Sequence, residues 1–112
     1  MKVTAKAQNL HETPRKLMLI AKSIQGMDAV YALAFLNTAN KKAAKTMHKL
    51  LKSAMANATN NYGMNVENLV ISNAQIGVSH RRFKMATYSR SHMRPQVRKW
   101  AHAEITLDQK TK

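Results

Sequence analysis

Two stretches of this sequence alternate apolar and polar residues as strands do, and residues 79–96 between them do not. Val70, Ala74, Ile76 and Val78 fall on one face of the first stretch. Val97, Ala101, Ala103, Ile105 and Leu107 share a face of the second, with Arg98, Trp100, His102, Glu104, Thr106 and Asp108 opposite. The chain must therefore leave the body after Val78 and return before Val97. Extended, with ~9 residues each way at ~3.3 Å per residue, it makes an arm of roughly 30 Å. A compact domain of this size has a radius of gyration of only ~13 Å, so the arm outreaches any core that could hold it. A lone two-stranded ribbon is marginal in water. No acid occurs from residue 68 to residue 103, so internal ion pairs cannot hold it either. Something outside the chain, and negative, must order it.

The remaining residues supply a body. Residues 2–7, KVTAKA, alternate as a short half-buried strand. Thr13-Pro14 reads as a helix start, with a hydroxyl at the N-cap and proline at the first helical position. Leu17, Ile20, Ala21 and Ile24 follow at helical spacing, and Gly26 is placed to end that helix in a left-handed turn. Asp28 is placed to cap a second short helix carrying Ala32, Leu33 and Leu36, and Asn40 a third over roughly residues 41–60. The third is the clearest element: Ala43, Ala44, Met47, Leu50, Leu51, Ala54, Met55 and Ala58 form one apolar stripe. Residues 57–69 read as a helix end and turn, with Gly63 left-handed. These elements predict one α+β domain over residues 1–112. It has a small three-stranded antiparallel sheet packed with three helices, and a long protruding basic β-hairpin as the arm over residues 79–96.

Charge narrows the partners. Nineteen Lys and Arg against five acids give a net charge of +14, which predicts polyanions: nucleic acid first, an anionic membrane surface second. A membrane-surface segment would show a helical moment with bulky apolar residues on one face. The arm instead interleaves Arg81, Arg82, Arg90, Arg94 and Arg98 with Phe83, Tyr88, His92 and Trp100. Guanidinium groups fork onto phosphates and stack on bases, and aromatic rings add stacking faces. RNA therefore fits better. Lys84 and Lys99 extend the basic legs of the arm, and "MATYS", Met85, Ala86, Thr87, Tyr88 and Ser89, is an uncharged break near its tip. On the third helix Lys41, Lys42, Lys45, Lys49 and Lys52 lie mostly off the apolar stripe with no acid at i+4 to pair with them. A solvated face and a phosphate-contacting face both fit that row.

Enzyme chemistry finds no footing. The acids Glu12, Asp28, Glu67, Glu104 and Asp108 are scattered, and only three glycines are available for a phosphate loop. The five histidines show no i,i+4 ligand pair, and cysteine is absent. No catalytic residue, metal site or cofactor is expected, and the eight methionines read as core filler. No apolar run approaches the ~20 residues of a membrane span, and the start, MKVTAKAQNL, lacks the apolar stretch of a signal peptide.

TPRKLMLIAKSIQG, then ALAFLNTANKKAA, and above all KLLKSAMANATNN resemble the bacterial-type large-subunit ribosomal protein twenty-two family, in order and spacing, up to HAEITL near the end. The resemblance implies a small α+β body on the subunit surface and a long β-hairpin lining the peptide exit tunnel. It implies a non-catalytic constituent of the large subunit, in a bacterial cytoplasm or an organelle matrix. The implied partners are large-subunit ribosomal RNA, neighbouring ribosomal proteins and the nascent polypeptide. It matches Arg15 and Lys16 to the family's basic pair at the first helix, Lys41 and Lys42 to its pair at the third, and Arg90 to its arginine near the hairpin tip. The family also has a proline before that arginine and a glycine shortly after. KMATYSRSHMRP has neither, with Ser89 near the glycine's place. The candidate RNA-binding set is thus Arg15, Lys16, Lys41, Lys42, Lys45, Lys49, Arg81, Arg82, Lys84, Arg90, His92, Arg94, Arg98, Lys99 and Trp100, with Met85–Ser89 toward the tunnel. A free-standing basic RNA- or DNA-binding protein is the alternative, and electrostatics alone does not separate the two.

Overall fold

The computed structural model describes residues 2–90 and 92–110, the side chains of residues 86–89 and 92 excepted. Strand β1 (Val3–Leu10) is followed by helices α1 (Pro14–Ile24), α2 (Ala29–Thr38) and α3 (Lys42–Tyr62). A 3-10 turn (Val66–Asn68) then leads into two long strands, β2 (Leu69–Ser89) and β3 (His92–Gln109). The sheet is antiparallel with order β1-β3-β2, so the last strand is central. This is the expected α+β architecture.

Helix α3 carries the core. Its eight stripe residues, Ala43 through Ala58, are all buried, as are Leu17, Ile20, Ala21 and Ile24 of α1 and Ala32 and Leu36 of α2. Beneath them lie Val3 and Ala5 of β1 and Ala101, Ala103, Ile105 and Leu107 of β3. Alanines at four stripe positions let neighbouring backbones approach closely, which fits a 21-residue helix that packs on β1, β3 and both other helices. Gly63 ends α3 at φ 64°, ψ 25°, with its amide donating to the Thr59 carbonyl. Nothing lies within 4 Å of where a Cβ would stand, so only backbone conformation demands glycine there. Gly63→Ala should therefore cost about 1 kcal/mol, a drop of about 4–8 °C in the Tm of the purified chain. An unchanged Tm would contradict that account.

The helix starts differ from expectation in detail. Thr13 and Asp28 occupy the N-cap positions of α1 and α2, but neither side chain caps; the Thr13 carbonyl accepts from the Lys16 and Leu17 amides, and the Asp28 carboxylate pairs with Lys110 Nζ at 3.0 Å. Lys41, not Asn40, is the N-cap of α3. Gly26 lies past the end of α1 at φ 88°, as the second central residue of a type II turn closed by Met27 N–H to the Ile24 carbonyl at 3.1 Å. That turn has a purpose in the sheet. The Gly26 amide donates to the Ile71 carbonyl at 2.8 Å and the Ile71 amide to the Met27 carbonyl at 3.0 Å, so the α1–α2 link covers part of the open edge of β2.

The core face of β2 also differs. Leu69 and Ile71 are fully buried and Val70 is only half-buried, opposite Asp108. A bulge between Ile71 and Asn73 then shifts the alternation, so that Ala74 and Ile76 take up the core side. One extra residue moved Val70 off the face it was assigned.

Candidate nucleic-acid interface

Beyond Val78 the two strands run on as a ribbon, paired from Arg81↔Lys99 to Ser89↔His92. The described residues extend 64 × 25 × 20 Å with a radius of gyration of 17.2 Å, well above the ~13 Å of a compact domain of this length. The arm is the cause of that excess.

Two bulges meet where the arm leaves the body. In β2 the register shifts between Val78 and Arg81, opposite Trp100; in β1 it shifts between Ala7 and Leu10. Asn9 in the second bulge has φ 56°, a left-handed conformation that Asn tolerates better than most residues. Ser79 Oγ hydrogen-bonds Asn9 Oδ1 at 2.5 Å and joins the bulges across the central strand. Trp100, on β3, is half-buried between them. Its ring lies 4.2 Å from that of His11, beyond β1, and 4.1 Å from that of His80, in the β2 bulge. Bulges bend a strand and increase its local twist, so this cluster sets the direction in which the arm leaves. Glu12 shares a cleft with His11, Arg98, Lys99 and Trp100. Thr46 Oγ1 donates to its Oε1, while its buried Oε2 has no partner among the described residues.

Cross-strand pairing sorts the arm's side chains, because directly opposed residues share a face. Arg82 stands opposite Arg98 and Lys84 opposite Gln96, and Arg94, two residues before Gln96, shares their side; this face is basic. On the other, Phe83 opposes Val97 and Met85 opposes Pro95, beneath the pair Arg81↔Lys99. That second face continues the core side of β3, but past the helices nothing covers it: Phe83 is 66% exposed and Val97 44%. The face pattern of β3 thus holds at Val97, though Val97 packs in no core. Like charges directly opposite destabilise a ribbon, and here Arg82–Arg98 and Arg81–Lys99 both do so. An anion seated against them would turn that repulsion into binding energy.

Every described cation of the candidate set is exposed: Arg15, Lys16, Lys41, Lys42, Lys45, Lys49, Arg81, Arg82, Lys84, Arg90, Arg94, Arg98 and Lys99. Lys16 of α1 is brought together with Lys41 and Lys42 around one cleft, floored by Leu19, Ile20 and Ala43. Arg15 adjoins it in sequence. The cleft opens at the start of α3, whose first turn carries no acid and no side-chain cap, so its free amides add positive potential to the lysines. Lys45 and Lys49 continue along α3. The arm cations make a second group. Met85 is exposed on the apolar face of the ribbon. The side-chain placements expected for Ala86, Thr87, Tyr88, Ser89 and His92 lie outside the described residues. Reading the sequence missed His11 and His80 as partners of Trp100, since only strand order brings them together. No helix among the described residues is long and apolar enough to cross a membrane, and those residues hold no group of three His, Cys, Asp or Glu suited to a metal ion.

Comparison with known proteins gives consistent matches. The family described as ribosomal protein L22p/L17e matches residues 5–108. The large ribosomal subunit protein uL22 of Buchnera aphidicola subsp. Cinara cedri is 35% identical over 107 residues, covering 96% of this chain and 86% of that protein. The protein of the same name from Mycoplasmopsis agalactiae is 34% identical over 111 residues, covering 97% and 94%. That of Anaplasma phagocytophilum is 43% identical over 75 residues, covering 67% of each.

Proposed function

From the premise that the chain belongs to the ribosomal protein L22p/L17e family, we propose that it binds large-subunit ribosomal RNA through two cationic groups and lays its β2–β3 arm along the peptide exit tunnel. As a family member it is a structural, non-enzymatic constituent of the large ribosomal subunit. The finer reading rests on one observation above all: an arm of directly opposed cations that has neither core nor acids of its own. RNA meets both needs, since phosphates neutralise Arg82 and Arg98 while bases pack on Phe83 and its neighbours.

The roles divide by position. Lys16, Lys41 and Lys42, with Arg15 beside them and Lys45 and Lys49 beyond, anchor the body on RNA. Arg81, Arg82, Lys84, Arg94, Arg98 and Lys99 anchor the two legs, with Arg90 and His92 near the turn and Trp100 fixing the joint. Met85–Ser89 then lie toward the lumen, where an uncharged tip would not hold back charged segments of a passing chain. On this reading residues 1–112 act as one domain with residues 79–96 as its arm, and its partners are ribosomal RNA, neighbouring ribosomal proteins and the nascent polypeptide. A photo-crosslinker at Thr87 in assembled ribosomes tests the placement. Crosslinks to a stalled nascent chain are expected; crosslinks to RNA alone would overturn the tunnel reading. The free-standing nucleic-acid-binding alternative requires that the chain wash off large subunits in high salt, whereas a constituent should stay.

A further inference from the structure

Helix α2 is apolar on its outside as well as its inside. Ala29, Ala32 and Leu36 are buried in the core, yet Tyr31 is 64% exposed, Val30 49% and Phe35 37%. Tyr31 and Phe35 are four residues apart and so share one helix face. Val30, Tyr31 and Ala34 line one depression, whose rim carries Asp28 and Glu67. Scattered exposed apolar residues are ordinary on a protein surface, but a contiguous patch rimmed by polar groups marks a place where something docks.

Charge identifies what docks. From residue 23 to residue 40 there is no Lys, Arg or His, in a chain with 19 Lys and Arg. Two of its five acids stand at this one depression. Lys110 already pairs with Asp28 at 3.0 Å, which leaves Glu67 as the open anionic contact. RNA would find one cation here, Lys110, already held by Asp28, and in Glu67 a carboxylate that repels phosphates. An anionic lipid surface would meet the same obstacle. A protein segment with an apolar anchor flanked by Lys or Arg satisfies both the patch and its rim. We infer that the outer face of α2, with Glu67, is the docking surface for a cationic segment of a neighbouring large-subunit protein. The surface is separate from both RNA-facing groups. The inference rests on the assembly reading above, since it takes its partner from the large subunit.

The test uses the full chain with p-benzoylphenylalanine in place of Tyr31, incorporated into large subunits that are then salt-washed and irradiated. The same probe in place of Arg98 serves as an RNA-facing reference. The expected Tyr31 adduct is a peptide of another large-subunit protein, with more basic than acidic residues. An adduct to RNA, to a second copy of this chain or to an acidic peptide overturns the inference alone. So does no Tyr31 adduct in subunits where the Arg98 probe crosslinks RNA. Absence of the chain from large subunits overturns the assembly reading and this inference with it. As a second measurement, the double change Val30→Ser, Tyr31→Ser, which removes the apolar anchor without altering charge, should leave the free chain's RNA affinity unchanged and its unfolding temperature within a few degrees. It should lower the fraction retained on salt-washed subunits about tenfold, the effect of losing one anchor cluster. Unchanged retention overturns the inference.

Discussion

Reversing Arg81, Arg82, Arg94 and Arg98 to Glu is expected to weaken the free chain's binding to large-subunit RNA by about two orders of magnitude or more near 0.1 M salt. The salt dependence should flatten as well. Each phosphate neutralised contributes ~0.7 to the log–log slope on single-stranded nucleic acid, so four lost contacts should remove about 3 from it. These four positions lie on both legs of the arm, and all are exposed. Reversing Lys2, Lys6, Lys110 and Lys112 changes net charge by the same amount but alters positions outside both proposed RNA groups. That second set should cost far less affinity and leave the slope nearly intact. Equal losses from the two sets would mean that binding follows total charge and that the arm has no special part in it. The measurement is a binding titration at several salt concentrations, with circular dichroism to show that the body stays folded. None of the four side chains is in the core.

Helix α3 could be read directly from the sequence because burial there follows a single period over many residues, and every residue of its stripe is buried. The long arm could be read because it is a place where that kind of pattern stops. What could not be read was set by single residues. A bulge inserts one residue without changing composition, so Val70 was placed on the face that Leu69 and Ile71 occupy. The caps failed for a related reason: Thr13 and Asp28 stand where capping residues should, but Asp28 has a partner in Lys110, far away in sequence. The rings beside Trp100, those of His11 and His80, could not be read either, because strand order and not sequence spacing brings them to it. The union of Lys16 with Lys41 and Lys42 in one cleft depends on how α1 packs beside the start of α3. The residues suggested each pair only through family resemblance, and no periodicity brings the two pairs together. The outer face of α2 is not legible in the same way, because Ala32, Leu33 and Leu36 already satisfy a core-facing helix and only the fold leaves Val30, Tyr31 and Phe35 exposed.

Amide exchange should separate the arm's own stability from what RNA adds. In the free chain, amides of residues 82–94 are expected to exchange within about a hundredfold of unfolded rates, because opening a lone ribbon costs little. Amides of Ala101–Leu107, in the central strand under the helices, should be slower by orders of magnitude. Adding RNA should bring the arm toward the body's protection. Strong protection of residues 82–94 without RNA would show that the ribbon holds itself, against the charge argument. One substitution sharpens the test. Arg82 directly opposes Arg98, so Arg82→Glu replaces repulsion with an opposite-charge pair and should stabilise the free ribbon by ~0.2–1 kcal/mol. The same change removes a phosphate contact and adds a negative charge facing RNA, so affinity should fall. Protection of the free arm and RNA affinity should thus move in opposite directions. If they fall together, Arg82 serves the ribbon's own fold, and the opposed arginines are not the device that makes the arm depend on RNA.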